Sequence, residues 1–227
     1  MQRVAIFDID GTVFRSSLLI ELVEALVTAD IFPKSIVSEY EPAHIAWLNR
    51  EGTYEDYIDA MVQAYMSNIK GVHYSDFKDV SDAVIETESK KVYRYTRDLI
   101  PTLKKKGYFL LAISQSPKTI VDGFAKSIGF DKVYGRMYEL GPQDRFTGEM
   151  IDVHLIVNKA NIVKRAVDKE ELTLEGSVGV GDTEGDVSFL ELVETPICFN
   201  PNQNLYKEAK RRGWDVVVER KDVIYEL

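Results

Sequence analysis

The chain opens on a short apolar run. Arg3 to Phe7 carries Val, Ala, Ile and Phe without a polar break, the pattern of a strand buried on both faces. It stops at Asp8-Ile9-Asp10-Gly11-Thr12, where polar residues and glycine end a strand. From residue 16 to 95 the pattern becomes helical. Leu18 to Val27 is mostly apolar, with Glu21, Glu24 and Thr28 on a polar face. Tyr54, Tyr57, Ile58, Met61, Val62, Tyr65, Met66 and Ile69 follow the i, i+3, i+4, i+7 rule. Thr53 is placed to cap that helix and Gly71 to end it. Ile36 to Leu48 reads as a helix interrupted at Pro42, and residues 76–98 as one long polar helix.

Beyond residue 98 strands and helices alternate. Leu99 to Lys106 is a short helix closed by Gly107, and Tyr108 to Ile113 a second buried strand. Pro117 to Ile128 is a helix with proline in its first turn. Lys132 to Ile151 predicts a hairpin about Gly141-Pro142-Gln143-Asp144. Helices over 158–167, 184–193 and 204–212 then separate strands over 177–180, 195–199 and 214–218. The alternation predicts an α/β fold, a doubly wound parallel sheet with helices on both faces. Residues 1–14 and 97–227 would form it. Residues 15–96 would be a helical cap inserted after the first strand, a lid over the C-terminal strand ends.

Composition narrows the function classes. Of 227 residues, 45% are hydrophobic and 29% charged, which suits a soluble domain with an insertion. The formal net charge of -9 repels nucleic acid and anionic membranes, so an anionic ligand has to be attracted locally. Residues 15–96 hold 14 acidic and 8 basic side chains, which disfavours a large polyanion there. The single cysteine, Cys198, excludes an internal disulfide and reads as a buried thiol between Ile197 and Phe199. No apolar run approaches the ~20 residues of a membrane span. The chain starts on a strand pattern rather than a signal peptide, so the cytoplasm is the expected compartment. Oligomeric state has no sequence signature.

The candidate chemistry gathers where such a sheet binds ligands, at the C-terminal ends of its strands. Asp8 and Asp10 follow the first strand, Ser114 the second, and Asp182 the strand ending at Gly181. Lys159 opens a helix between the last two. Two carboxylates one residue apart on extended chain can share a direction, one as nucleophile and one as general acid/base. Like charges this close call for a cation, and an oxygen-rich acidic site suits Mg²⁺. Ser114 and Lys159 could hold phosphoryl oxygens. Each piece alone also has a plainer reading. Asp-x-Asp-Gly-Thr can be a strand-end turn, and Asp182 with Asp186 can cap the next helix. Arg15, just past the first strand, could face the pocket or solvent. His44, His73 and His154 show no metal spacing.

Taken in order, these segments resemble the haloacid dehalogenase superfamily. Phe7-Asp8-Ile9-Asp10-Gly11-Thr12 resembles its first motif, Ser114 in Ile113-Ser114-Gln115-Ser116-Pro117 its second, and Lys159 in Asn158-Lys159-Ala160 its third. Gly181-Asp182-Thr183-Glu184-Gly185-Asp186 resembles its fourth. The insertion after the first motif, Arg145-Phe146-Thr147-Gly148 and Phe199-Asn200-Pro201 are similar to the phosphoserine-phosphatase-like branch. The resemblance implies a phosphatase acting on a small phosphate ester. Asp8 would become an aspartyl phosphate, and Asp10 would protonate the leaving oxygen and then activate water. Mg²⁺ would bind Asp8, the Asp10 backbone carbonyl and Asp182. Ser114 and Lys159 would grip the phosphoryl group, with Asp186 orienting Lys159 or metal-bound water. Arg15 and Gln115 are the candidate substrate contacts. Phosphoserine phosphatases carry a Glu, an Arg, a Gly and an Asn where this chain has Ser17, Met61, Gln115 and Gly185. Phosphoserine is therefore an alternative substrate rather than the expected one. A phospholigand-binding protein that keeps the fold without turnover is the alternative from another class. A response-regulator receiver also uses an acidic cluster and a lysine, but the large cap fits it poorly.

Overall fold

The computed structural model describes residues 1–156 and 158–227. It divides into two compact units, Met1–Ser17 with Ser89–Arg136 and Asp152–Leu227, and Leu18–Glu88 with Met137–Ile151. Strand β1 (Gln2–Asp8) is the centre of the first unit. Its Val4, Ala5, Ile6 and Phe7 are wholly buried, as their unbroken apolar run predicts. β1 pairs in parallel with β2 (Phe109–Pro117) on one side and β5 (Leu172–Gly181) on the other. β3 (Lys132–Leu140) extends the sheet beyond β2. β6 (Thr195–Phe199), β7 (Asp215–Arg220) and the antiparallel β8 (Val223–Glu226) extend it beyond β5. β8 has no counterpart in the sequence reading, because four half-exposed residues carry little periodicity. The helices of this unit are α5 (Arg94–Lys105), α6 (Lys118–Ser127), α7 (Val153–Ile156), α8 (Lys159–Lys169), α9 (Val187–Leu190) and α10 (Gln203–Arg212). A doubly wound parallel sheet is thus the observed fold class.

Register aligns the functional strand ends. Asp8 lies opposite Ile113, Phe7 opposite Val180, and Gly181 opposite Cys198. Residues just past those positions therefore emerge side by side along one edge, at the ~4.8 Å spacing of adjacent strands. Under that edge, Val4, Ile6, Leu111, Ile113, Ile162 and Cys198 share one apolar cluster.

The second unit contains α1 (Leu18–Thr28), α2 (Val37–Leu48), α3 (Tyr54–Asn68) and α4 (Tyr74–Glu88). Thr53 caps α3 through a capping box with Asp56, and α3 buries Tyr57, Met61, Ala64 and Tyr65 on one face. Pro42 does not interrupt α2 as its sequence suggests; it lies on an exposed face, where water can satisfy the freed carbonyl. The distal half of β3 pairs antiparallel with β4 (Phe146–Ile151). The hydropathy pattern places this hairpin with residues 97–227, whereas its contacts group it with the helices. The reason is aromatic packing: Tyr138 lies 5.2 Å from Tyr65, and Phe146 5.0 Å from Phe77.

The polar helix expected over 76–98 is two helices. Residues 89–90 turn and 91–93 leave the helix because Val92 pairs with Phe14 and the Tyr93 N–H donates to the Val13 carbonyl. α5 then starts afresh, with the Glu219 carboxylate accepting the N–H groups of Arg94 and Tyr95. Among the described residues no helix is long and apolar enough to cross a membrane.

Candidate active site

The chain leaves β1 in a tight turn. The Ile9 carbonyl accepts the N–H groups of Thr12, Val13 and Phe14. Gly11 sits at φ +79°, and a Cβ there would stand 2.1 Å from Asp182 Oδ2. Only glycine lets the first and fourth motifs approach this closely. Thr12 Oγ1 donates to Asp182 Oδ1 at 3.1 Å and completes the contact. The fourth motif is held from its other end. Asp186 Oδ2 accepts the N–H groups of Asp182 and Thr183, at 2.9 and 3.1 Å. The chain therefore folds back as a short turn, and α9 shrinks to four residues where the sequence suggested a helix over 184–193. Gly181 permits this, because a Cβ there would lie 2.6 Å from the Asp186 side chain.

Lys159, the first residue of α8, is buried between two carboxylates. Its ammonium donates to Asp8 Oδ1 and to Asp186 Oδ1, each at 2.5 Å. Burial opposes its charge, but Asp186 and Asp8 outweigh that and hold its pKa above the usual lysine range. Asp8 moves the other way from an ordinary carboxylate. Burial, resisted by Lys159 and reinforced by Asp186 and Asp10, pushes it up to about 8. Asp182 is likewise raised, by burial and by the charges of Asp8 and Asp186.

Asp8, Asp182 and Asp186 each offer a carboxylate oxygen within 4.8 Å of the others. Asp8 Oδ2 is buried and makes no hydrogen bond among the described residues. Three carboxylates this close together fit a divalent metal, which would offset charge that Lys159 alone does not. Asp10 stands apart from this trio. Its Oδ2 accepts the hydroxyls of Ser114 at 2.5 Å and Ser116 at 3.0 Å, and Ser114 Oγ in turn accepts the Ser116 N–H.

Asp8, Asp10, Ser114, Lys159, Asp182 and Asp186, far apart in sequence, thus meet at one sheet edge. Arg15 is exposed, its guanidinium 5.7 Å above the Tyr93 ring. The Gln115 side chain is exposed and accepts a hydrogen bond from Arg136. Ser116 is the residue that sequence reasoning passed over. Its place two residues after Ser114, on the same side of an extended segment, is the signal that could have found it.

Residues 5–191 match the family profile described as haloacid dehalogenase-like hydrolase. The chain belongs to this family. As a haloacid dehalogenase-like hydrolase it is similar along most of its length to proteins of different stated substrate. A phosphoserine phosphatase of Mycobacterium tuberculosis is 24% identical over 220 residues, covering 95% of this chain and 70% of that one. A histidinol-phosphatase of Neisseria meningitidis is 24% identical over 228 residues, covering 96% and 99%. In fold, the hydrolase resembles a Bordetella pertussis protein of unknown function, with a TM-score of 0.74 and 19% identity, covering 95% and 98% of the two chains.

Proposed function

We propose that the chain is a Mg²⁺-dependent phosphatase of small phosphomonoesters, working through an aspartyl phosphate on Asp8. The observation that carries this reading is the asymmetry of the Asp8 carboxylate. Lys159 pins Oδ1, while Oδ2 makes no hydrogen bond among the described residues and, once the carboxyl gives up its proton, is the oxygen that attacks.

In the first step Asp8 Oδ2 forms a bond to phosphorus while the ester oxygen leaves with a proton from Asp10. In the second, Asp10 takes a proton from water, whose oxygen attacks phosphorus and frees Asp8. Ser114 and Ser116 keep the Asp10 carboxylate oriented for both transfers. Lys159 offsets the charge that builds on the phosphoryl oxygens, and Asp186 positions Lys159. Asp8 and Asp182 would hold Mg²⁺ together with the Asp10 carbonyl, and the ion would supply further charge neutralisation at the phosphoryl group. Residues 15–96 would serve as the cap that selects the substrate.

Phosphate release from an aryl phosphate should require Mg²⁺, stop with chelator and disappear in Asp8→Asn. Borohydride reduction of acid-quenched enzyme should convert Asp8 to homoserine. A broad phosphomonoester panel with no metal-dependent turnover would defeat the proposal and favour a phospholigand-binding protein.

Phosphoserine should not head that panel. The two relatives of equal identity act, by name, on different substrates, so likeness does not choose between them. Ser17 and Met61 are uncharged and buried, and cannot grip an amino-acid head group as ions. Losing one charged contact whose partner stays buried costs about 2–5 kcal/mol. Phosphoserine leading by tenfold in kcat/KM would refute this.

A further inference from the structure

We infer that Arg136 binds a second anionic group of the substrate, a carboxylate or a further phosphoryl, beside the group that is hydrolysed. This rests on the phosphatase reading of the site and adds a specificity residue to it.

Arg136 lies on β3 in register with Pro117, the residue that follows Ser114-Gln115-Ser116. The serines of that segment hold Asp10, so the segment is a wall of the site. Between them, Gln115 accepts a hydrogen bond from Arg136 Nη2 at 2.6 Å. The guanidinium is therefore tied to the wall itself. Its backbone is also fixed, because β3 passes so close to the start of α6 that a Cβ on Gly135 would stand 2.6 Å from Lys118 Cα.

Among the described residues the guanidinium meets no anion. Its Nε is buried and makes no hydrogen bond with them, and its Nη2 donates to a neutral amide. Arg97, Arg211 and Arg212 each pair with a carboxylate. Asp122, one turn along α6 from Lys118, is already shared by Lys118 and Lys126. An arginine cannot shed its charge, so partial burial without a counter-ion is a cost that a bound anion removes. Its planar fork matches the paired oxygens of a carboxylate or phosphate. In a protein of net charge -9, such a cation tied to the Ser114–Ser116 segment would let an ester with a second anionic group compete with one that carries the phosphate alone.

The test compares 2-phosphoglycolate, ethylene glycol bisphosphate and ethyl phosphate under saturating Mg²⁺. The wild type should prefer either 2-phosphoglycolate or ethylene glycol bisphosphate to ethyl phosphate, and which one identifies the carboxylate or the phosphoryl as the second group. Arg136→Gln should cut the ratio of its kcat/KM to that of ethyl phosphate by about 30-fold or more, mainly through KM. Arg136→Lys should fall between, keeping charge but losing the fork, and carries the test if Arg136→Gln fails to fold. An unchanged ratio in the folded variants, or a wild type that prefers ethyl phosphate, overturns the inference. A wild type that hydrolyses none of the three esters and no aryl phosphate overturns the phosphatase reading instead.

Discussion

Asp8 has one oxygen bonded to Lys159 and one without a hydrogen bond among the described residues, and burial pushes its carboxyl up to about 8. A folded-state pKa above the ordinary 3.8 means that the metal-free protein holds the Asp8 proton more tightly than the unfolded chain does. The associated stability is fully present below pH ~4 and is lost as pH rises through about 8. Asp8→Asn removes that loss. In chelator at pH 8 it should therefore melt above wild type, at roughly 2–4 °C per kcal/mol for a chain of this size, while kcat falls on the order of 10⁴-fold or more. Thermal melts from pH 5 to 8 check the first expectation. Equal slopes for both proteins would refute it. Asp182 titrates in the same direction, so some slope should survive. Lys159→Met leaves the carboxylates without their cation and should cost about 3–5 kcal/mol. In the Asp8→Asn background the cost should shrink by at least ~1 kcal/mol, a coupling that a double-mutant cycle in urea measures. Strand-end position made Asp8, Asp10, Ser114, Lys159 and Asp182 conspicuous in the sequence. Arg136 was not, because among the described residues it meets an amide and no carboxylate, and a missing counter-ion has no sequence pattern.

Elements were legible where one chemical rule governs them. The apolar run of β1 and the 3.6-residue rhythm of α3 are each written in consecutive residues, and each folds as written. The break at residues 89–93 is different. It contains no proline or glycine, and its cause lies in Phe14, Val13 and Glu219, which are distant in sequence. The β3–β4 hairpin is similar: its strands alternate as expected, but its allegiance is decided by Tyr65 and Phe77 on other elements. Glu219 acts as a cap borrowed from β7, so Glu219→Ala should loosen α5 as loss of an N-cap does, by about 0.5–2 kcal/mol. Urea titration measures the total cost, and amide exchange across residues 94–97 should rise with it. Unchanged exchange there would mean that α5 is capped by other means.

At the scale of the whole molecule, every candidate catalytic side chain belongs to one of the two compact units. The parallel sheet of that unit brings residues from position 8 to position 186 to a common edge. Its apolar cluster contains Cys198, wholly buried on β6, with burial pushing the thiol up to about 12. A thiol so protonated and enclosed reacts with disulfide reagents only after the strands around it separate. Since it is also the chain's single cysteine, the protein carries a built-in clock for opening of its catalytic unit. Labelling with an aromatic disulfide should be slow in the native state and show one reactive group. Its rate should fall further when Mg²⁺ and orthovanadate occupy the site, by the factor that their binding adds to stability. Fast labelling of the folded protein would mean that the sheet breathes locally at β6, and the same measurement would give the free energy of that motion.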